Sequence, residues 1–156
     1  MDGAFPTQYE GPESSPGYLL WWHFARWHHR IHRTLAPLGL THLQFVLLAT
    51  LCWAHRQGQK PTQVALARMA GTDAMSTSKA LRLLEKKQLI QRLSNPQDAR
   101  AHMLSPTDTG YSLLYQAMPL VEQADEAYFS PLDAAQRQAF LRSLTALQAA
   151  ASDDLS

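Results

Sequence analysis

Cysteine is nearly absent: Cys52 stands alone among 156 residues, so no disulfide can close within the chain. That usage suits a reducing compartment. Also missing are a glycine-rich phosphate loop, a nucleophile elbow and a Cys-x-x-Cys pair. Without those signatures of phosphoryl, acyl and thiol chemistry, an enzyme is not expected, and no cofactor is implied. No apolar run approaches the roughly 20 residues that cross a bilayer. The first 17 residues are acidic and rich in Pro, Ser and Gly, without the basic start and apolar stretch of a secretory signal. A soluble, cytoplasmic chain with no membrane partner is expected, with residues 1–16 as a flexible arm. Internal repeats are lacking as well.

Charge of one sign is scarce overall, with a net value of only +1, but its distribution is uneven. Between Lys60 and Leu104 stand eight basic residues (Lys60, Arg68, Lys79, Arg82, Lys86, Lys87, Arg92, Arg100) against three acidic ones (Asp73, Glu85, Asp98). The remainder carries six basic against ten acidic. A basic middle between acidic ends is the asymmetry expected when one segment meets a polyanion. A solvated basic face would look the same, so the charge needs a fold to aim it.

What the chain has in plenty is helical periodicity. Leu20, Phe24, Trp27, Ile31 and Leu35 recur at steps of four, three, four and four, one stripe of an amphipathic helix ending near Pro37 and Gly39. Thr41 and Gln44 form a capping-box pair opening a second helix, whose buried face is Leu43, Leu47, Leu51 and Ala54. A short helix over 62–70 draws its apolar content from Val64, Leu66, Ala67 and Met69. Gly71 breaks it, and Thr72 or Asp73 caps the next helix, which reaches about Lys87. There Thr77, Ala80, Leu81 and Leu84 share one face, while Ser76, Lys79, Arg82, Leu83 and Lys86 occupy the other. A short helix, a glycine turn and a second helix basic on its outer face follow the helix-turn-helix pattern.

Strands are expected at 89–93 and 101–104, joined by the turn-forming Asn95-Pro96-Gln97-Asp98. A hairpin directly after such a helix is a wing. Thr107 begins another helix, with Pro119 placed to kink it. Asp133 and Gln136 make a second capping box before a last helix carrying Phe140, Leu141, Leu144 and Leu147, with a frayed end from Ser152 to Ser156. The fold class is thus mainly α with a small β-wing: a winged helix-turn-helix over 40–106, with N- and C-terminal helices over 17–39 and 107–151 that have no obvious partner within so small a core.

Reading DNA in the major groove requires a rigid helix with small polar and basic side chains near its start. Ser76, Ser78, Lys79 and Arg82 fit, although serines there are also ordinary capping residues. Asp98 and Arg100 lie two apart on one side of a strand, so Asp98 can hold the guanidinium while Arg100 enters the minor groove. As a mere surface ion pair they would contribute about 0–1 kcal/mol; their position in a wing favours the DNA role.

Several segments together resemble the MarR family of bacterial regulators, over about Tyr18 to Ala150. Thr41-His42-Leu43-Gln44-Phe45 is similar to the opening of that family's second helix. Leu84-Glu85-Lys86-Lys87-Gln88-Leu89-Ile90-Gln91-Arg92 resembles its recognition-helix exit. Asp98-Ala99-Arg100 matches its wing signature, and Thr107-Asp108-Thr109-Gly110 the start of its fifth helix. Two positions depart. Gln88 replaces a customary glycine, so a left-handed backbone there would cost about 1 kcal/mol or the turn would change. Pro106 replaces a leucine and forgoes one buried contact. The resemblance implies a homodimer interlocked through its first and last helices, so the N- and C-terminal helices over 17–39 and 107–151 are expected to serve as dimerisation helices. It also implies binding to a palindromic double-stranded operator, and a repressor whose DNA affinity responds to a small aromatic or phenolic effector.

For that effector the aromatic, His- and Arg-rich first helix offers Trp27, His28 and His32, with Trp53 from the second. The same tryptophans could instead pack a dimer interface, with the histidines at its rim. His28 and His32 also have a metal-ligand spacing, with His42 and His55 as the further histidines, but no full ligand set is evident. Cys52 reads as an inert buried thiol, with Arg56 one turn away as the argument for an oxidant sensor. A metal- or oxidant-sensing regulator, or a winged helix gripping another protein, are the alternatives.

Overall fold

The computed structural model describes residues 6–95 and 102–153. Helix α1 (Pro16–Leu35) starts where Ser15 accepts a hydrogen bond from the Tyr18 N–H and Pro16 takes the first helical position. Proline is at home there because that N–H has no helical partner. A single 3-10 turn and Gly39, at φ 67°, end the run. Only the C-terminal part of the expected stripe is covered: Ile31 and Leu35 are fully buried, Trp27 is half-buried, and Leu20 and Phe24 face water.

Helix α2 (His42–Arg56) has the capping box in full, Gln44 N–H to Thr41 Oγ1 and Thr41 N–H to Gln44 Oε1, both at 3.2 Å. It is apolar on more than one face, as a central helix must be. Leu47, Leu51 and Ala54 are buried as the periodicity predicts, joined by Phe45, Leu48 and Cys52, while Leu43 is only half-buried. Around α2 pack the end of α1, the wing base and two further helices, α3 (Gln63–Met69) and α4 (Ala74–Lys86). In α3 only Leu66 and Ala67 are buried. Two turns of helix present one face to the core, so Val64 and Met69, the rest of its apolar content, stay exposed.

Strands β1 (Ile90–Ser94) and β2 (His102–Pro106) pair antiparallel, Ile90 opposite Pro106 and Ser94 opposite His102. The hairpin thus begins one residue later than expected, and its return strand runs from 102 to 106. The reason is local: Leu89 belongs to the helix exit, its N–H bonding back to Leu84 O and its carbonyl receiving the Thr107 N–H. Gln88 retains the left-handed backbone, at φ 58°, the one non-glycine residue with positive φ among those described. The turn keeps its shape despite the missing glycine, sealed by the Gln88 N–H to Glu85 O and by Thr107 Oγ1 donating to Gln88 O. Pro106 sits buried at the end of β2.

Helix α5 (Asp108–Phe129) is capped by Thr107 and continues through Pro119. Its third residue is fixed by sterics: a Cβ on Gly110 would lie 2.0 Å from Leu89 O. Glycine allows α5 to start directly against the wing base. Helix α6 (Ala134–Asp153) opens with the Asp133–Gln136 box and extends to Asp153, past the expected fraying point. A forked ion pair, Arg137 to Glu126 at 2.6 and 2.8 Å, sets the α5–α6 elbow. Beyond it Phe140, Leu141, Leu144 and Leu147 are exposed. Among the described residues no single helix is long and apolar enough to cross a membrane.

Candidate nucleic-acid interface and histidine cluster

The turn between α3 and α4 is held by side chains. Gly71 supplies φ 64°. Asp73 accepts from the Ser76 N–H at 2.8 Å, and this bond holds its carboxyl below the ordinary value. Thr77, fully buried, donates to Asp73 O at 2.7 Å and shares a 2.7 Å hydrogen bond with Thr72. Thr77, Ala80, Leu81 and Leu84 are all buried, so the rotation of α4 about its axis is fixed.

Opposite that face run Lys79, Arg82 and Lys86, exposed and without ion pairs among the described residues. Arg82 is steered by donating to Ser78 Oγ at 3.1 Å, and Ser78 is itself half-buried. The Ser76 side chain is exposed while its N–H serves the cap. Two other cations of the basic segment are engaged. Arg92 pairs with Glu85 at 3.1 Å, tying the wing to α4. Lys87 donates to Gly39 O and to Gln44 Oε1. Only the charge count groups these two with the outward set. Met75, which the sequence pattern does not single out, begins the outward line one turn before Lys79; the available signal is an apolar side chain one turn ahead of a basic stripe. Asp98 and Arg100 lie outside the described residues.

The first-helix candidates fall into place around His42, which is 8% exposed. The Nδ1 atoms of His28 and His42 lie 2.8 Å apart, so one ring donates an N–H and the other accepts. The Trp27 ring meets His42 edge-on, and its Nε1–H donates to Asp125 Oδ1 at 2.7 Å, joining α1 to α5. Phe24 stacks on His28. Burial and the His28 charge hold His42 at about 4, against a partial pull from Asp125; His32 adds to the lowering. Trp53 does not join this group. It is exposed and eleven residues beyond His42 on α2, about 16 Å at a rise of 1.5 Å per residue. His55 pairs instead with Tyr111 Oη, at 2.9 Å.

Among the described residues no group of three or more His, Cys, Asp or Glu side chains is placed to hold a metal ion. Cys52 is buried and its thiol is pushed up to about 11, which suppresses the thiolate that oxidants attack. On the far side of α1, Arg26 lies 3.9 Å over the Trp22 ring, and with His29, Arg30, Arg33 and Tyr128 lines an open cationic groove.

A family model described as the MarR family matches residues 40–102. The chain is 39% identical over 141 residues to YdcH, an uncharacterized HTH-type transcriptional regulator of Bacillus subtilis (strain 168), covering 90% of this chain and 95% of that one. Its fold is similar to that of CouR from Rhodococcus jostii RHA1 bound to p-coumaroyl-CoA, with a TM-score of 0.78, 22% identity and coverage of 89% and 95%. It is also similar to a mutant MarR from E. coli complexed with operator DNA, with a TM-score of 0.75, 23% identity and coverage of 84% and 91%.

Proposed function

Because this chain belongs to the MarR family of transcriptional regulators, we propose that it is a homodimeric repressor that reads a palindromic double-stranded operator and releases it on binding a small aromatic or phenolic acid. The observation that carries the DNA role is the line of exposed cations on α4, without ion pairs among the described residues, set opposite its buried face by a fully capped turn. Residues 40–106 form the reading unit. Lys79, Arg82 and Lys86 contact phosphates or base edges, Ser76 and Ser78 border them, and Arg100, oriented by Asp98, enters the minor groove.

Residues 17–39 and 107–151 form the dimerisation region. Support comes from the exposed apolar side chains at the N-terminal end of α1 and along α6, which a second copy would cover. A two-fold arrangement presents two recognition helices about one turn of DNA apart. For the effector, Trp27, His28 and His32 around His42 combine aromatic surface with groups able to hold a carboxylate. Trp53 is too far along α2 to share that site.

Gel-shift titration of the full chain against DNA upstream of its own gene, over a salt series, tests the reading. Binding that weakens steeply with salt is expected. Absent or salt-insensitive binding would favour a protein-gripping winged helix. A thermal-shift screen with aromatic carboxylates, repeated on the His28→Ala/His32→Ala variant, tests the effector site; an undiminished response in the variant places it elsewhere.

A further inference from the structure

Met75 is the most exposed of the large apolar side chains among the described residues, at 84%. It is the second residue of α4, directly after the Asp73 cap and Ala74. Single exposed apolar residues are common on protein surfaces. This one, however, begins the outward line that continues through Lys79, Arg82 and Lys86 at steps of four, three and four, opposite Thr77, Ala80, Leu81 and Leu84. Its direction is therefore fixed by the same packing that aims the cations.

Recognition helices bring the residues of their first turns to the base edges, while basic residues further along meet phosphates. At the base edges of the major groove most features are hydrogen-bond donors and acceptors, which a thioether side chain reads poorly. The apolar feature is the C5 methyl of thymine. An unbranched, polarizable methionine adapts well to such a methyl group. Ser76, the neighbouring polar residue, points about 100° away around the helix.

We propose that Met75 is a specificity-determining residue that packs on a thymine methyl, so that each operator half-site carries a thymine under the first turn of α4. The inference rests on the DNA-reading role of α4 given above. Selection of duplexes from a random library with the full chain defines the site. Affinity is then measured on duplexes in which each thymine in turn is replaced by uracil, which removes that methyl alone.

The unmodified protein is expected to lose about fourfold in affinity at one thymine of each half-site, the value of one buried methyl group. Met75→Ala should bind the thymine and uracil duplexes equally, and Met75→Leu should restore the difference. Its exposure makes Met75 a safe position to vary, and the uracil series on the unmodified chain needs no variant. Indifference to uracil at every thymine, or an undiminished loss in Met75→Ala, overturns the assignment while leaving DNA reading intact. Selection of no duplex at all overturns both.

Discussion

Lys87, at the end of α4, donates a hydrogen bond to Gln44 Oε1 at 3.1 Å, and that same oxygen accepts from the Thr41 N–H that opens α2. The ammonium also reaches Gly39 O. One side chain thus fastens the exit of the reading helix to the junction between α1 and α2. Lys87 is a structural cation within a segment whose other lysines face outward.

Lys87→Met should therefore lower stability by about 1 kcal/mol, the net worth of a solvent-accessible charged hydrogen bond. It should leave the salt dependence of DNA binding unchanged. Lys79→Ala should do the opposite, with native stability and a log–log salt slope reduced by about one. Urea denaturation and salt titration on both variants check the contrast; equal slope changes would refute it.

At Gln88 the strained backbone predicts an order among variants. Gln88→Gly removes about 1 kcal/mol of left-handed strain, partly offset by about 0.4–1 kcal/mol of added freedom in the unfolded chain. Its denaturation midpoint should match or exceed that of the unmodified protein. Gln88→Val, with a β-branched side chain at φ 58°, should be clearly less stable. A glycine variant weaker than valine would mean that the turn does not hold its left-handed form in solution.

Gly110→Ala is expected to destabilise by at least about 3 kcal/mol. Its Cβ would meet Leu89 O at 2.0 Å, and neither backbone segment can withdraw without breaking the Thr107 bonds to Gln88 and Leu89. Circular dichroism melting measures the loss. A fall below about 1 kcal/mol would show that α5 can slide away from the wing base.

His42 makes stability depend on pH. It titrates near 6.5 unfolded and near 4 in the fold, so the unfolded chain binds the additional proton between those values. Its contribution is complete above about pH 6.5 and declines as pH falls toward 4, at up to about 1.4 kcal/mol per pH unit. Urea midpoints measured from about pH 7 to 4 should fall less steeply in His42→Asn. An identical slope would assign the acid sensitivity to other groups.

Arg100→Ala should weaken operator binding by about 1–3 kcal/mol. Anisotropy titration with labelled duplex reads the change directly, and unaltered affinity would mean that the wing does not touch DNA.

The recognition helix was legible residue by residue, because a helical period of about 3.6 forces Thr77, Ala80, Leu81 and Leu84 to one side and tertiary packing had only to accept that face. Both capping boxes were legible for the same reason, since their partners are three residues apart. The strand limits shifted because Leu89 serves the helix exit, a choice decided by its bonds to Leu84 and Thr107 and not by its own propensity. Met75 was missed because an apolar residue in a helix reads as core until its direction is known. Spacing could not join His28 to His42 across two elements, nor show that Lys87, off the outward face that carries Lys86, reaches back to Gly39 and Gln44.

The bareness of α6 bears on how the chain holds its shape. No residue from Ala134 to Ala151 is buried, and twenty residues of helix gain little from backbone bonds alone in water. If the second copy of the proposed dimer lies across it, its order depends on that copy, and the melting temperature should climb as the protein is concentrated.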